Sequence, residues 1–322
     1  MSMPSLADSV ISGATRERYS PHPLVADERT LGLQTSRIRT SLGTVTVRHG
    51  RSSGPVATIL LHGAAGSWTT WTPFIRAASL PPTGPLVDLI VPDLPGWGDS
   101  PAPDDIAAES IESLANAVAD IARSLGYERW RVVGHSLGGF VALELAASHP
   151  DRTTHVGLVS ATTYSVIDSA RHPLVRFGVL PGFTALLCVM RVLAKLPDGG
   201  LGLIRGTHRL GLLRALVSPL FDRARQIGPA VVDALATETR PRSFTVAADR
   251  AARYDADQSW ARIRCPVRSV HGDHDVFVAA SDDQRLNAVL ADFTVRTLPG
   301  TGHFAHIERP DSTVRTLWPA GA

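Results

Sequence analysis

Cysteine, lysine and long apolar runs are scarce in this chain of 322 residues. Its two cysteines, Cys188 and Cys265, stand in separate regions, so no disulfide framework is indicated. With neither Cys-x-x-Cys nor His-Glu-x-x-His spacing, and with twelve dispersed histidines, no zinc site is expected. Lys195 is the only lysine. Arginine supplies the rest of the basic charge, which acids nearly balance at 30 against 32. A net charge of +2 without a clustered basic patch argues against nucleic acid as a partner. The uncharged stretch 177–190 is broken by Pro181 and Gly182, and it falls short of the roughly 20 apolar residues of a membrane span. Residues 1–33 lack the continuous apolar core of a signal peptide, so an N-terminal arm and a cytoplasmic protein are expected.

What is present fits a sheet covered on both faces. Hydrophobic residues make up 44% of the chain. Short apolar runs at 57–61, 87–91, 131–134, 155–160, 267–271 and 293–298 have the make-up of buried parallel strands. Segments 36–40 and 44–49 alternate as a hairpin turning near Gly43. Helices are expected between them, at 110–125, 137–148, 281–290 and 310–318. In the first, Ile111, Leu114, Ala115, Val118 and Ile121 recur at spacings of three and four. Strands alternating with helices predict an α/β fold with a mostly parallel central sheet.

Gly134-His135-Ser136-Leu137-Gly138 lies between one of these strands and the next helix. Gly-x-Ser-x-Gly in that setting is a nucleophile elbow. The serine turns sharply in a strained conformation, and flanking side chains would collide with neighbouring backbone. The hydroxyl is thereby lifted above the sheet at a helix N-terminus, where free N–H groups favour developing negative charge. Downstream, Gly272-Asp273-His274-Asp275 leaves one strand and Gly300-Thr301-Gly302-His303 leaves the next. Serine, then acid, then histidine is the chain order of an α/β-hydrolase triad. A serine hydroxyl is a poor nucleophile unless an imidazole takes its proton, and the acid holds that imidazole in the correct tautomer.

With His62-Gly63-Ala64-Ala65-Gly66 after a strand and Asp93-Leu94-Pro95-Gly96-Trp97-Gly98-Asp99-Ser100 after another, four motifs stand in register. On these the chain resembles the α/β-hydrolase superfamily, in its branch of serine esterases, haloperoxidase-like enzymes and C–C hydrolases, over residues 35–318 apart from the middle insertion. The resemblance implies Ser136 as nucleophile and His303 as base. Its Gly-x-x-Asp pattern selects Asp275 over Asp273, which is left as a turn-former. It implies an oxyanion hole made of the backbone N–H groups of Ala64 and Leu137. His62, His135 and His306 read as structural, His306 with a packing or surface role, and His271 and His274 as loop histidines. Serine at the elbow points away from epoxide hydrolases and haloalkane dehalogenases, which use aspartate there.

The expected organisation is an arm at 1–34, a core at 35–162 and 258–322, and a helical cap or lid at 163–257, where the family inserts one. In the cap, Phe183, Leu186, Leu187, Met190, Leu193 and Leu196 form a helix-spaced apolar face, and Cys188 among them reads as a small buried hydrophobe. A second leucine-rich run spans 201–221. Part of the apolar face lines an acyl or alcohol pocket on the functional reading and simply packs on the core on the plain one; contact of the lid with a membrane surface is a further expectation. Together these readings describe a cofactor-independent serine hydrolase acting on a small apolar acyl or ester substrate through an acyl-enzyme. The alternatives are a C–C bond hydrolase, a perhydrolase or acyltransferase, and a ligand sensor that turns over little.

Overall fold

The computed structural model of the protein describes residues 17–81, 84–103, 109–173 and 178–318. Among them, strands β1 Gln34–Thr40, β2 Gly43–His49, β3 Val56–Leu61, β4 Leu89–Pro92, β5 Arg129–His135, β6 Thr153–Val159, β7 Val267–Gly272 and β8 Phe293–Leu298 form one sheet. The order is β1-β2-β4-β3-β5-β6-β7-β8. β2 is antiparallel to both its neighbours, and every other pairing is parallel. Such a sheet must be buried on both faces, and it is. Along β5, Val132 enters the core on one side and Val133 the core on the other, as the two-residue period of a strand requires.

Helices α1 Thr72–Ala78, α2 Ile111–Ser124 and α3 Leu137–Ser148 follow β3, β4 and β5. The expected apolar stripe of α2 is buried, and its N-terminus carries a reciprocal cap. Ser110 Oγ accepts from Ser113 N at 3.1 Å, and Ser110 N donates to Ser113 Oγ at 2.7 Å. α3 is buried along nearly its whole length because α2 and the sheet enclose it. Between β6 and β7 the chain inserts α4 Tyr164–Arg171, α5 Pro181–Ala194, α6 Leu201–Arg209, α7 Leu213–Leu216, α8 Pro229–Glu238, α9 Pro241–Ala251 and α10 Ala256–Trp260. The core resumes with α11 Ala280–Val289, α12 Ala305–Glu308 and α13 Pro310–Leu317.

Some expectations shift. β4 begins at Leu89 rather than at 87, because Asp88 adopts φ 53°. There its carboxylate accepts from Ser53 N, Gly54 N and the Tyr127 hydroxyl. The run 201–221 is broken at Gly211, with φ 74°, into α6 and α7. Cys188 is exposed, not buried. The buried side of α5 is Phe183, Leu187, Met190 and Leu193, and Cys188 lies about 100° round the helix from Leu187. The expected arm falls outside the described residues up to 16. From Glu17 onward the chain is pinned to the C-terminal helices. Glu17 accepts from Asp311 N and Ser312 N at the start of α13.

The turn after β4 is held from below by charge. Asp93, fully buried, pairs with Arg48 of β2 at 2.5 Å and accepts from Trp68 N at 2.9 Å and Asp99 N at 3.0 Å. Removing Asp93 would leave the Trp68 and Asp99 amides without their acceptor and Arg48 with only the exposed Asp99; breaking a buried ion pair costs about 3–5 kcal/mol. Asp93→Ala is therefore expected to lower the urea unfolding free energy by about 3 kcal/mol or more. Cutting the exposed Arg264–Asp151 pair should leave the midpoint where it was. A similar small loss from both substitutions would show that the Asp93 turn is not held by its charge.

Candidate active site

The elbow forms where β5 runs directly into α3. Ser136 has φ 51° and ψ −119°, a conformation that ordinarily favours glycine. The chain reaches it because nothing but hydrogen occupies the flanking positions. A side-chain carbon at Gly138 would overlap the Leu61 and His62 carbonyls, and one at Gly134 would overlap the Gly138 carbonyl. The close approach seats α3 against the end of β3 and leaves Ser136 facing a pocket it shares with Ala64, Leu137 and Phe277.

The loop after β3 is braced by the turn after β4. His62 Nδ1–H donates to Gly63 O at 2.8 Å, and its Nε2 accepts from Leu94 N at 2.9 Å, so the ring is the neutral Nδ1–H tautomer. Burial holds its pKa below the ordinary value. Trp97 Nε1–H donates to Ala64 O at 3.1 Å and fixes that peptide. Two of the four sequence motifs are thus one structure: the Asp93 turn orients the loop that carries Ala64. Among the described residues, neither Ala64 N–H nor Leu137 N–H is engaged by another protein acceptor, and both residues border the same pocket as Ser136.

Asp275 and His303 arrive from the turns after β7 and β8, which are laced together. His274 N donates to Thr301 O at 3.0 Å, and Thr301 N to Asp273 Oδ1 at 3.2 Å. Asp273 thus reaches across to the histidine loop, while Asp275 Oδ1 accepts from His303 Nδ1–H at 2.9 Å and from Phe277 N at 2.9 Å. Both side chains of that pair are almost wholly buried. Burial alone would push the Asp275 carboxyl up. His303, the Phe277 amide and the facing Ser160 hydroxyl, which lacks a well-aligned hydrogen bond, together hold it below the ordinary carboxylate range. Among the described residues Ser136 makes no hydrogen bond to His303. In resting sites of this kind that contact commonly tightens only when substrate arrives. His135 instead holds the His303 main chain, its Nε2–H donating to His303 O at 3.0 Å. His271 is on β7 and pairs with Asp283, and exposed His274 pairs with Asp222.

Glu308 escaped sequence reasoning. It is fully buried and accepts from Gly302 N at 3.0 Å and Phe304 N at 3.2 Å, the amides on either side of His303. It accepts also from Asp222 N at 3.0 Å and from Tyr19 Oη at 2.5 Å. Burial keeps its carboxyl above the ordinary range even so. The available signal was its spacing of five from His303, but nothing local distinguishes it from a helix-surface glutamate. Among the described residues no cluster of three or more histidine, cysteine or acidic side chains could hold a metal.

His306 packs rather than faces solvent. Its ring lies 4.3 Å from that of His135 and 4.7 Å from that of Trp71, and among the described residues neither nitrogen has a hydrogen-bond partner. Burial, with a smaller push from His303, lowers its pKa to about 3. The unfolded chain titrates a histidine near 6.5, so between about 6.5 and 3 the unfolded state binds the extra proton and stability drops with pH. His306→Phe is expected to shrink the loss of unfolding free energy between about pH 7.5 and 4.5, measured by urea titration. An unchanged loss would mean that His306 carries no part of it.

The geometry has counterparts. The alpha/beta hydrolase family model matches residues 58–316. An uncharacterised protein of Mycobacterium tuberculosis is 28% identical over 275 residues, covering 80% of this chain and 72% of that protein. Epoxide hydrolase 3 of Xenopus tropicalis is 25% identical, covering 80% and 69%. A thermophilic esterase from Thermogutta terrifontis superposes with a TM-score of 0.64 at 18% identity, over 88% of this chain and 96% of that one. With a matching family model over most of its length, an eight-stranded sheet and an elbow at the end of β5, the chain belongs to the alpha/beta hydrolase family.

Proposed function

We propose that the protein is a cofactor-independent serine hydrolase that cleaves a carboxylic ester or related acyl bond. The observation that carries this reading is the buried Asp275–His303 pair, set beside a strained serine with unengaged amides around it. Ser136 Oγ attacks the carbonyl carbon while His303 Nε2 takes its proton, and Asp275 holds the imidazole through Nδ1–H. The oxyanion is received by the Ala64 and Leu137 N–H groups. His303 then passes the proton to the leaving alcohol, and the acyl group stays on Ser136. Water, deprotonated by His303, attacks the acyl-enzyme and releases the acid and the free serine. Residues 163–257 serve as the cap over this site, since Val166, Phe183 and Phe244 wall the pocket; with Phe277 from the turn after β7 they favour an apolar substrate. Relatives that open epoxides are set aside by Ser136, because the resemblance gives those enzymes a carboxylate at the elbow.

Hydrolysis of p-nitrophenyl butyrate tests the reading. Ser136→Ala should abolish turnover, and Asp275→Asn should lower kcat by roughly 10⁴-fold by favouring the wrong tautomer. The rate should fall in acid, where a protonated imidazole no longer accepts the serine proton. A flat profile from about pH 5 to 9 would remove His303 as the base. Turnover that survives Ser136→Ala would require another nucleophile.

A further inference from the structure

The pocket at Ser136 is small, about 50 Å³, and takes only a short acyl group. Next to it lies a groove of about 430 Å³ between α5, α6 and α7. Leu186, Met190, Leu193, Ile204, Leu213 and Leu220 are among its walls. Among the described residues Thr207 is its one polar side chain, and that hydroxyl already donates to Ile204 O at 2.8 Å. The lining therefore offers no charge and no unengaged side-chain donor, so a polar ligand would lose its hydration there without replacement. An alkyl chain loses nothing of the kind.

The groove and the Ser136 pocket share a wall. Phe277 borders both, and its ring stands edge-on 4.6 Å from that of His303. Leu220, on the same side of the groove, accepts from His303 N through its carbonyl at 2.8 Å. The inner end of the groove thus abuts the group that would act as base. Its outer end is open, with Val189, Leu203 and Leu216 more than half exposed. Core packing does not account for side chains left this exposed.

We propose that this groove is the binding site for a long alkyl chain on the acyl side of the substrate. The chain enters past Val189 and Leu203, and Phe277 turns aside to join the groove to the Ser136 pocket. The proposal rests on the ester-hydrolase reading for its chemistry, but binding in the groove is testable without turnover. Ala185 and Val189 are exposed lining residues of α5, so tryptophan at either position fills the groove with little demand on the core.

Two measurements decide it. In Ser136→Ala protein, dansylundecanoic acid is expected to bind saturably by fluorescence titration, with affinity reduced about tenfold or more by Ala185→Trp and by Val189→Trp. In otherwise wild-type protein, the ratio of kcat/KM for p-nitrophenyl laurate over butyrate should fall about tenfold with either tryptophan. No saturable binding, or affinity and ratio both indifferent to the two substitutions, would overturn the groove even if Ser136-dependent butyrate hydrolysis were robust. Probe binding that tryptophan blocks, in a protein that hydrolyses no ester, would keep the groove and overturn the ester-hydrolase reading.

Discussion

Ser136 is held in a conformation that costs a residue with a side chain of order 1–3 kcal/mol, and enclosure keeps it there. β5 is hydrogen-bonded on both sides, to β3 and β6, so the strand leading into the turn has no freedom to slip. α3, leaving the turn, is walled in by α2, the sheet and the end of β3. Relaxing the serine would pull α3 off the β3 carbonyls and open the main core. The strain is therefore local while its support is global. The sheet order follows the same logic: Ser136 sits at the end of a central strand, with the loop bearing Ala64 on one side and those bearing Asp275 and His303 on the other.

Around that turn, each approaching loop is tied by a buried carboxylate. Asp93 binds Arg48 and two amides and braces the loop of Ala64 through Leu94 and Trp97. Glu308 gathers the amides on both sides of His303, one amide of the insertion and the Tyr19 hydroxyl. Asp275 takes the imidazole itself. Burial penalises a carboxylate, and amide donors offset that penalty only in one arrangement, so these groups buy geometry more than stability. The N-terminal segment takes part, since Tyr19 reaches the carboxylate that holds the histidine loop.

The insertion follows a looser rule. Its helices are apolar over much of their circumference, yet only one side of α5 packs inward. The surplus apolar surface lies on α5, α6 and α7 and lines a groove there. The insertion is anchored to the histidine loop at Leu220 and Asp222, and Phe221 stacks on Phe304 at 5.0 Å.

Much of this was legible in the chain, because its signals are local. Strand and helix periods, the glycines of the elbow and the turn motifs that carry Asp275 and His303 each depend on residues close in sequence. The period of a helix that is apolar all round does not say which side is covered, and so Cys188 was placed inside when it is outside. Nor does local pattern show that Glu308, Tyr19 and His135 hold the His303 loop, since these contacts join residues up to 289 apart. The sequence alone determined the fold, the family and the residues offered for chemistry, because covalent neighbours and steric limits on the backbone decide them. Only tertiary structure decided how the His303 loop is held, through Glu308, Tyr19 and His135, and where the insertion leaves apolar space. Those depend on how distant segments share one low-dielectric interior.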